Sequence, residues 1–184
     1  HTAYRRQRQM CIRDSYTSYP DNVVRNFIQL SAKNGIDVFR VFDSLNSLDN
    51  MKVAIDEVRN QNKIAEVALC YTGDILDSNR PKYNLDYYVK MAKELQNAGA
   101  NIIAIKDMAG LLKPQAAYNL VSALKDAVTV PIHLHSHEGS GNTIYSYGRA
   151  VDAGVDVIDL AYSAFANGTS PVSYTHLTLP TICS

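Results

Sequence analysis

Three segments of this chain share one pattern, in which a helix stop and a glycine precede a short apolar strand. They are 34–38, 98–102 and 153–157. The glycine at each junction can adopt the positive φ that commonly ends a helix. Predicted strands begin near residues 37, 64, 101, 132 and 155, and a helical pattern separates each from the next. This strict alternation predicts right-handed βα units and a parallel sheet.

The spacing of apolar residues places the individual elements. Helices are predicted over about 21–34, 48–60, 85–98, 114–127 and 143–153, and strands over about 36–42, 64–70, 101–105, 132–137 and 155–160. Five such units without a dinucleotide-binding glycine fingerprint fit a partial barrel better than a doubly wound sheet. The predicted fold class is therefore α/β, a partial (β/α)8 TIM barrel.

The two ends of the chain are related to each other in a way that no fold explains. One coding of residues 5–14 has a reverse complement that translates as residues 172–181. The stretch also resembles the transposon adapter used to prepare sequencing libraries. We therefore expect residues 1–15 and 171–184 to be adapter-derived and not native, and residues 16–170 to be one incomplete barrel domain.

Removing these ends changes the composition argument. Of 18 basic and 18 acidic residues, four arginines and one aspartate lie in 1–15 and none in 171–184, so residues 16–170 carry a net charge of −3. The basic start is then no sign of nucleic-acid binding, and no apolar run is long enough to span a membrane. Cys70 is the one cysteine left in 16–170, which excludes a disulfide framework and predicts a cytoplasmic location.

One predicted strand carries three histidines at alternate positions, His133, His135 and His137. Alternation places all three side chains on one face, with neighbouring backbones roughly 6–7 Å apart. Two imidazoles at that spacing can converge on one divalent metal. The alternative is a set of hydrogen-bonded histidines on a half-buried strand.

Polar residues also follow the other predicted strands where each one ends. In a (β/α)8 barrel the carboxyl ends of the strands form the catalytic face. Those positions hold Asp43, Ser44, Asn46, Tyr71, Thr72, Asp74, Lys106, Asp107, His135 and His137. Asp43 and Asp107 could orient metal ligands from behind, or they could simply cap the entry to the following helix.

Lys106 admits three interpretations. It could form a salt bridge with Asp43 or Asp107, or it could be a Schiff-base nucleophile that attacks a substrate carbonyl, as in an aldolase. Third, its amine could react with carbon dioxide to give a carbamate, whose carboxylate would complete a metal site beside two histidines. Spacing alone does not choose between the last two.

Four separated motifs in this order resemble the carboxyltransferase domain of the pyruvate carboxylase family, which is biotin-dependent. They are FRVFDSLN (39–46), CYTGD (70–74), IKDMAGLLKP (105–114) and HLHSH (133–137). The resemblance covers essentially all of residues 16–170. It implies roughly strands four to eight of a barrel, in which carbon dioxide is transferred from carboxybiotin to pyruvate to give oxaloacetate.

The resemblance also implies a set of site residues. A carbamylated Lys106, His135 and His137 would bind zinc or manganese, with His133 one layer lower in the barrel, and Tyr16 would line the biotin or substrate pocket. Biotin would be carried on a separate carboxyl carrier domain of the parent protein. The implied partners are pyruvate and that carrier domain, with no nucleic acid and no membrane, in a homo-oligomeric parent.

Some parts of the family pattern fall outside residues 16–170 or differ within them. The family's aspartate ligand and substrate-binding arginine would precede residue 16, and its proton-shuttling threonine would follow residue 170. Glu138-Gly139 stands where the family usually has Asp-Thr. The alternatives left open are the α subunit of oxaloacetate decarboxylase, a Schiff-base aldolase, and an inactive fragment that does not fold alone.

Overall fold

The computed structural model describes residues 9–12 and 19–175. In these residues helices alternate with strands, and the strands form one parallel sheet. The elements are β1 (Gln9–Ile12), α1 (Asp21–Lys33), β2 (Val38–Phe42), α2 (Leu48–Asn60), β3 (Ile64–Cys70), α3 (Leu85–Asn97), β4 (Ile102–Asp107), α4 (Pro114–Ala127), β5 (Ile132–Ser136), α5 (Thr143–Asp152), β6 (Val157–Ile158) and a 3-10 turn (Ser163–Phe165).

The order of strands in the sheet is the order of the chain, β1-β2-β3-β4-β5-β6, and every neighbouring pair is parallel. A doubly wound sheet reverses its strand order at a switch point, whereas a barrel adds each strand beside the last. The prediction of a partial (β/α)8 barrel is confirmed.

The predicted boundaries agree well in the middle of the chain and less well at its ends. The structure places α2, β3 and α4 at the predicted residues. The last strand, predicted over 155–160, is reduced to Val157–Ile158, which pairs with His133 and Leu134 of β5 alone.

One strand was not predicted. The backbone of β1 pairs in parallel with β2, from Gln9 opposite Val38 to Ile12 opposite Val41. This strand lies inside residues 1–15, the segment interpreted above as adapter-derived.

The two faces of the sheet differ in chemistry. The face toward the helices carries apolar side chains that are fully buried or nearly so, among them Phe39, Val67, Leu69, Ile103 and Leu134. The alternate positions face the barrel interior, and they include Arg40, Glu66, Lys106 and His133, each at most 7% exposed. Helix packing therefore stabilises one face of the strands, and the other face builds a polar site.

Helix α1 has a second apolar face that the described residues leave uncovered. Val24 and Ile28 are buried against the core, but Val23, Phe27 and Leu30 are 43%, 43% and 52% exposed. These three positions are four and three residues apart, so they lie on one side of the helix. In the part of the chain that the structure describes, no helix is both long and apolar enough to cross a membrane.

Candidate metal centre

Lys106 and His135 are direct neighbours across the sheet. The register pairs Cys70 of β3 with Lys106 of β4, and Lys106 with His135 of β5. Lys106 is 7% exposed, and its Nζ lies 4.6 Å from the ring centroid of Phe42. These residues form one row at the carboxyl ends of three adjacent strands.

Within residues 9–12 and 19–175, no acidic side chain pairs with Lys106. Among the described residues its Nζ has no hydrogen bond and no salt bridge, because the carboxylates of Asp43 and Asp107 bind elsewhere. Asp43 accepts hydrogen bonds from the backbone N–H groups of Leu45 and Ser47. Lys106 is therefore a buried amine that lies over the aromatic ring of Phe42.

Asp107 anchors the loop that follows Lys106. Its carboxylate accepts hydrogen bonds from the backbone N–H of Leu111 at 3.0 Å, from the backbone N–H of Leu112 at 2.9 Å and from Ser136 Oγ at 3.0 Å. Asp107 is completely buried. Both aspartates that were predicted as weak candidates for orienting ligands therefore use their carboxylates to hold loop backbone.

His135 and His137 bring two ring nitrogens to one point. Their Nε2 atoms are 3.0 Å apart, and the rings meet at an interplanar angle of 79°. Two imidazole nitrogens bound to one tetrahedral zinc ion lie about 3.3 Å apart, given zinc–nitrogen bonds of about 2.0–2.1 Å. The separation in the structure is close to that value, so the pair fits a shared cation.

The hydrogen-bond partner of His135 Nδ1 determines that this nitrogen carries a proton. His135 Nδ1 lies 2.7 Å from Asp159 Oδ2. An ionised carboxylate only accepts hydrogen bonds, so Nδ1 holds a proton, and in the neutral tautomer with that proton the lone pair of Nε2 faces His137. Burial lowers the pKa of His137, and the positive charge of Lys106 and the proximity of His135 lower it further. Both effects favour the neutral ring, which is the form that binds metals.

His133 lies deeper, in a buried ionic cluster. Its Nδ1 is 2.9 Å from Glu66 Oε1, and its Nε2 is 2.9 Å from Asp159 Oδ1. Burial alone would lower the pKa of His133, but hydrogen bonds and charges from Asp159 and Glu66 outweigh it and raise the pKa to about 9. His133 is therefore a cationic partner of two carboxylates, not a third ring converging on the same point.

Arg40 completes this cluster from the other side of the interior. Its guanidinium lies 2.7 Å from Glu66 Oε1 and 3.0 Å from Asp159 Oδ2. Although burial favours the neutral carboxyl group of Asp159, the hydrogen bonds from His133 and His135 and the charge of Arg40 hold its pKa well below the usual range. The carboxylate beside His135 is therefore ionised.

Among the described residues, no group of three or more histidine, cysteine, aspartate or glutamate side chains is placed to bind a metal ion. His135 and His137 provide two nitrogen donors, and Lys106 is the neighbouring group in the same row. A carboxylate on the Lys106 amine would supply an anionic oxygen donor. The donor set therefore fits a divalent metal if Lys106 is carbamylated, and supplies two donors if it is not.

Three residues of this centre were not predicted from the sequence: Arg40, Glu66 and Asp159. Each is a charged residue within a predicted apolar strand, and this is the one sequence signal that could have identified them. Tyr16, predicted for the biotin or substrate pocket, lies outside the described residues.

Comparison with known proteins adds independent findings. A family model described as HMGL-like matches residues 27–168. The pyruvate carboxylase of Bacillus subtilis (strain 168) is 62% identical over 169 residues, an alignment that covers 90% of this chain and 15% of that protein. The pyruvate carboxylase of Staphylococcus aureus (strain Mu50) is 56% identical over 170 residues, again covering 90% of this chain and 15% of that protein. The chain thus spans about 15% of the length of these curated relatives.

Solved structures are similar as well. The carboxyl transferase domain of Rhizobium etli pyruvate carboxylase with pyruvate has a TM-score of 0.90 and 51% sequence identity, covering 92% of this chain and 30% of that one. The structure of that domain with pyruvate and biocytin has the same TM-score and identity, and covers 92% of this chain and 29% of that one.

Proposed function

This chain belongs to the HMGL-like family, and from that premise we propose that it forms part of the carboxyltransferase domain of a pyruvate carboxylase. The reaction is transfer of carbon dioxide from carboxybiotin to the methyl carbon of pyruvate, which gives oxaloacetate. The observation that supports this function most directly is the convergence of His135 Nε2 and His137 Nε2 beside the buried amine of Lys106, which has no acidic partner in the described part of the chain. That centre lies at the carboxyl ends of the strands, where barrel enzymes carry out chemistry.

In this proposal His135, His137 and a carbamylated Lys106 hold the metal. The Lys106 amine attacks carbon dioxide and loses a proton to solvent, and the amine becomes a carboxylate on a long side chain. A bound divalent ion supplies Lewis-acid polarisation of the pyruvate carbonyl. The protein's own residues hold the ligands: Asp159 keeps the proton on His135 Nδ1, and Asp107 fixes the loop after Lys106.

The proposal also covers the metal, the biotin site, the location and the oligomeric state of the longer parent protein. The metal is zinc or manganese, Tyr16 lines the biotin or substrate pocket, and biotin arrives on a separate carrier domain. The parent is a cytoplasmic homo-oligomer that acts on pyruvate without nucleic acid or membrane. Pyruvate and biocytin are present with the related Rhizobium etli domain, and the curated relatives are carboxylases, which favours this function over an oxaloacetate decarboxylase.

The domain assignment is also part of the proposal. Residues 16–170 are the native segment, and residues 1–15 and 171–184 are adapter-derived. The isolated chain is inactive because it holds two of the barrel's metal donors and a modifiable lysine without the rest of the barrel. The apolar face of α1, at Val23, Phe27 and Leu30, supports the view that further structure covers this segment in a longer protein.

A hybrid enzyme tests the function directly. Residues 16–170 replace the matching segment of the Bacillus subtilis enzyme, and oxaloacetate formation from pyruvate, bicarbonate and ATP is followed by coupled reduction to malate. We expect the hybrid to be active and native mass spectrometry at neutral pH to show one carbon dioxide adduct that is missing from the Lys106→Arg hybrid.

Two variants make the test specific to the lysine. Lys106→Arg keeps the positive charge but cannot form the carbamate, so it should abolish carboxylation. Lys90→Arg, at a side chain that is 79% exposed on α3, is the matched control and should remain active. An active Lys106→Arg hybrid, or a pyruvate adduct trapped on Lys106 by borohydride, would refute the proposed role.

A further inference from the structure

Arg40 contacts the same carboxylate oxygen that orients a metal ligand. Asp159 Oδ2 accepts from Arg40 Nη1 at 3.0 Å and from His135 Nδ1 at 2.7 Å. We propose that Arg40 is a positioning residue of the metal centre, which holds Asp159 so that His135 keeps Nε2 directed at His137. This inference rests on the proposed function, because it concerns the metal that His135 and His137 would bind.

Asp159 needs such an anchor because of its place in the fold. It follows β6, whose two residues pair with β5 alone, and its side chain is 28% exposed. Water reaches this carboxylate, so it could rotate and release His135 Nδ1 unless both of its oxygens are held. His133 Nε2 holds Oδ1 at 2.9 Å, and Arg40 holds Oδ2. Arg40 comes from β2 on the far side of the described sheet, 119 residues away in sequence, and is 5% exposed.

Two features let Arg40 reach across the interior. Glu66 lies directly opposite Arg40 in the register of β2 and β3, and its Oε1 binds the Arg40 Nε at 2.7 Å, which fixes the direction of the guanidinium. On the intervening strand β4, Ala104 is paired with His133 and lies two residues before Lys106, so it faces the interior. A methyl group is the smallest side chain that could stand at this interior position, and Arg40 Nη1 reaches Asp159 Oδ2 at 3.0 Å.

The planar guanidinium also explains why an arginine is needed. It remains charged at all relevant pH values and offers donors in a fixed fork, so it can bind Glu66 and Asp159 together. A lysine ammonium has three donors on one nitrogen but no fixed fork, so it does not set the directions of two carboxylates in the same way. Partners behind a metal ligand typically change metal affinity about 10- to 100-fold when they are removed.

The test measures metal affinity in the hybrid enzyme, with Arg40→Leu compared against Arg25→Leu. Arg25 is the matched control because it also pairs with a nearly buried glutamate, Glu57, at 3.3 Å, but on the helical layer. Zinc affinity is determined by competition with a chromogenic chelator, and the visible spectrum of the cobalt-loaded protein reports ligand geometry. We expect Arg40→Leu to weaken zinc binding at least about 10-fold and to change the cobalt spectrum, and Arg25→Leu to stay within about two-fold.

The outcomes separate this inference from the proposed function. Equal zinc affinity in both variants, whether unchanged or equally reduced, would overturn a positioning role for Arg40. If Arg40→Leu does not fold, Arg40→Lys decides the question, since it retains the charge but loses the fork. An unchanged affinity and spectrum in Arg40→Lys would then overturn the inference. If the unsubstituted hybrid binds no metal, the proposed function fails, and the inference fails with it.

Discussion

Replacing Asp107 with asparagine should loosen the loop that begins beside the candidate metal centre. The Asp107 carboxylate accepts from the backbone N–H groups of Leu111 and Leu112 through different oxygens, and from Ser136 Oγ. An asparagine keeps one acceptor oxygen and turns an NH2 group toward backbone donors. The substitution therefore removes one side of the anchor and leaves at least one buried N–H without an acceptor.

The size of the effect follows from the kind of hydrogen bond that is lost. Hydrogen bonds to a charged group contribute about 1.5–3 kcal/mol, and an unsatisfied buried donor costs about 1–3 kcal/mol. One lost charge-assisted bond, partly relieved by loop movement, gives about 2–3 kcal/mol. At about 1.4 kcal/mol for each factor of ten, local opening of the loop should become about 30- to 150-fold more frequent.

Hydrogen exchange followed by mass spectrometry measures this opening in the intact hybrid enzyme, without requiring two-state unfolding of a multidomain protein. Amides in 108–113 of Asp107→Asn should exchange about 30- to 150-fold faster. Asp74→Asn is the control: Asp74 pairs with Lys113, whose side chain is 59% exposed, so the same change should alter exchange in its own loop by less than about five-fold. Exchange at 108–113 within about three-fold of the parent would refute the anchoring role.

Three further predictions follow from other parts of the structure. Gly110 has a φ of +65°, and a Cβ added there would lie 2.8 Å from the carbonyl oxygen of His137, so Gly110→Ala should weaken zinc binding by the hybrid. The control is Gly73→Ala, whose added Cβ has its nearest atom at 3.7 Å, and this variant should bind zinc normally. Phe27→Lys should reduce aggregation of the isolated chain, measured by light scattering, by breaking up an exposed apolar face. Burial raises the pKa of Asp156, but hydrogen bonds from Lys125 and the backbone N–H of Ile132 outweigh it and lower the pKa. The stabilising effect of Asp156 is therefore present above the ordinary aspartate pKa of about 4 and is lost as pH falls below it, and Asp156→Asn should flatten that part of a plot of melting temperature against pH.

The helices and strands could be predicted because local rules determine them. Glycine 99 follows α3 at a φ of +105°, and Pro114 begins α4 at a position that needs no backbone donor. Strict alternation then predicted the parallel sheet, and the order of its strands confirmed the partial barrel. These features depend on residues that are close together in sequence.

The interior cluster could not be predicted in the same way. Arg40 binds Glu66 and Asp159, which lie 26 and 119 residues away, and the curvature of the sheet brings them together. The sequence shows a charged residue in each of three apolar strands, but not which charges meet. Asp43 and Asp107, prominent at strand ends, hold loop backbone, while the carboxylate that contacts His135 comes from within the predicted last strand.

The charged interior is better explained by orientation of the candidate ligand His135 than by stability. A buried ion pair often contributes no more than well-packed apolar side chains of the same volume, because desolvation of the charges offsets their attraction. The helix-facing side of the same strands already supplies a continuous apolar core around Phe39, Val67 and Leu134. Glu66 binds Arg40, Arg40 binds Asp159, and Asp159 binds one ring nitrogen of His135, so these hydrogen bonds form a chain that ends at that ring. Successive side chains of each strand point to opposite faces of the sheet. Apolar side chains therefore pack against the helices on the outer face, and hydrogen bonds orient His135 on the inner face.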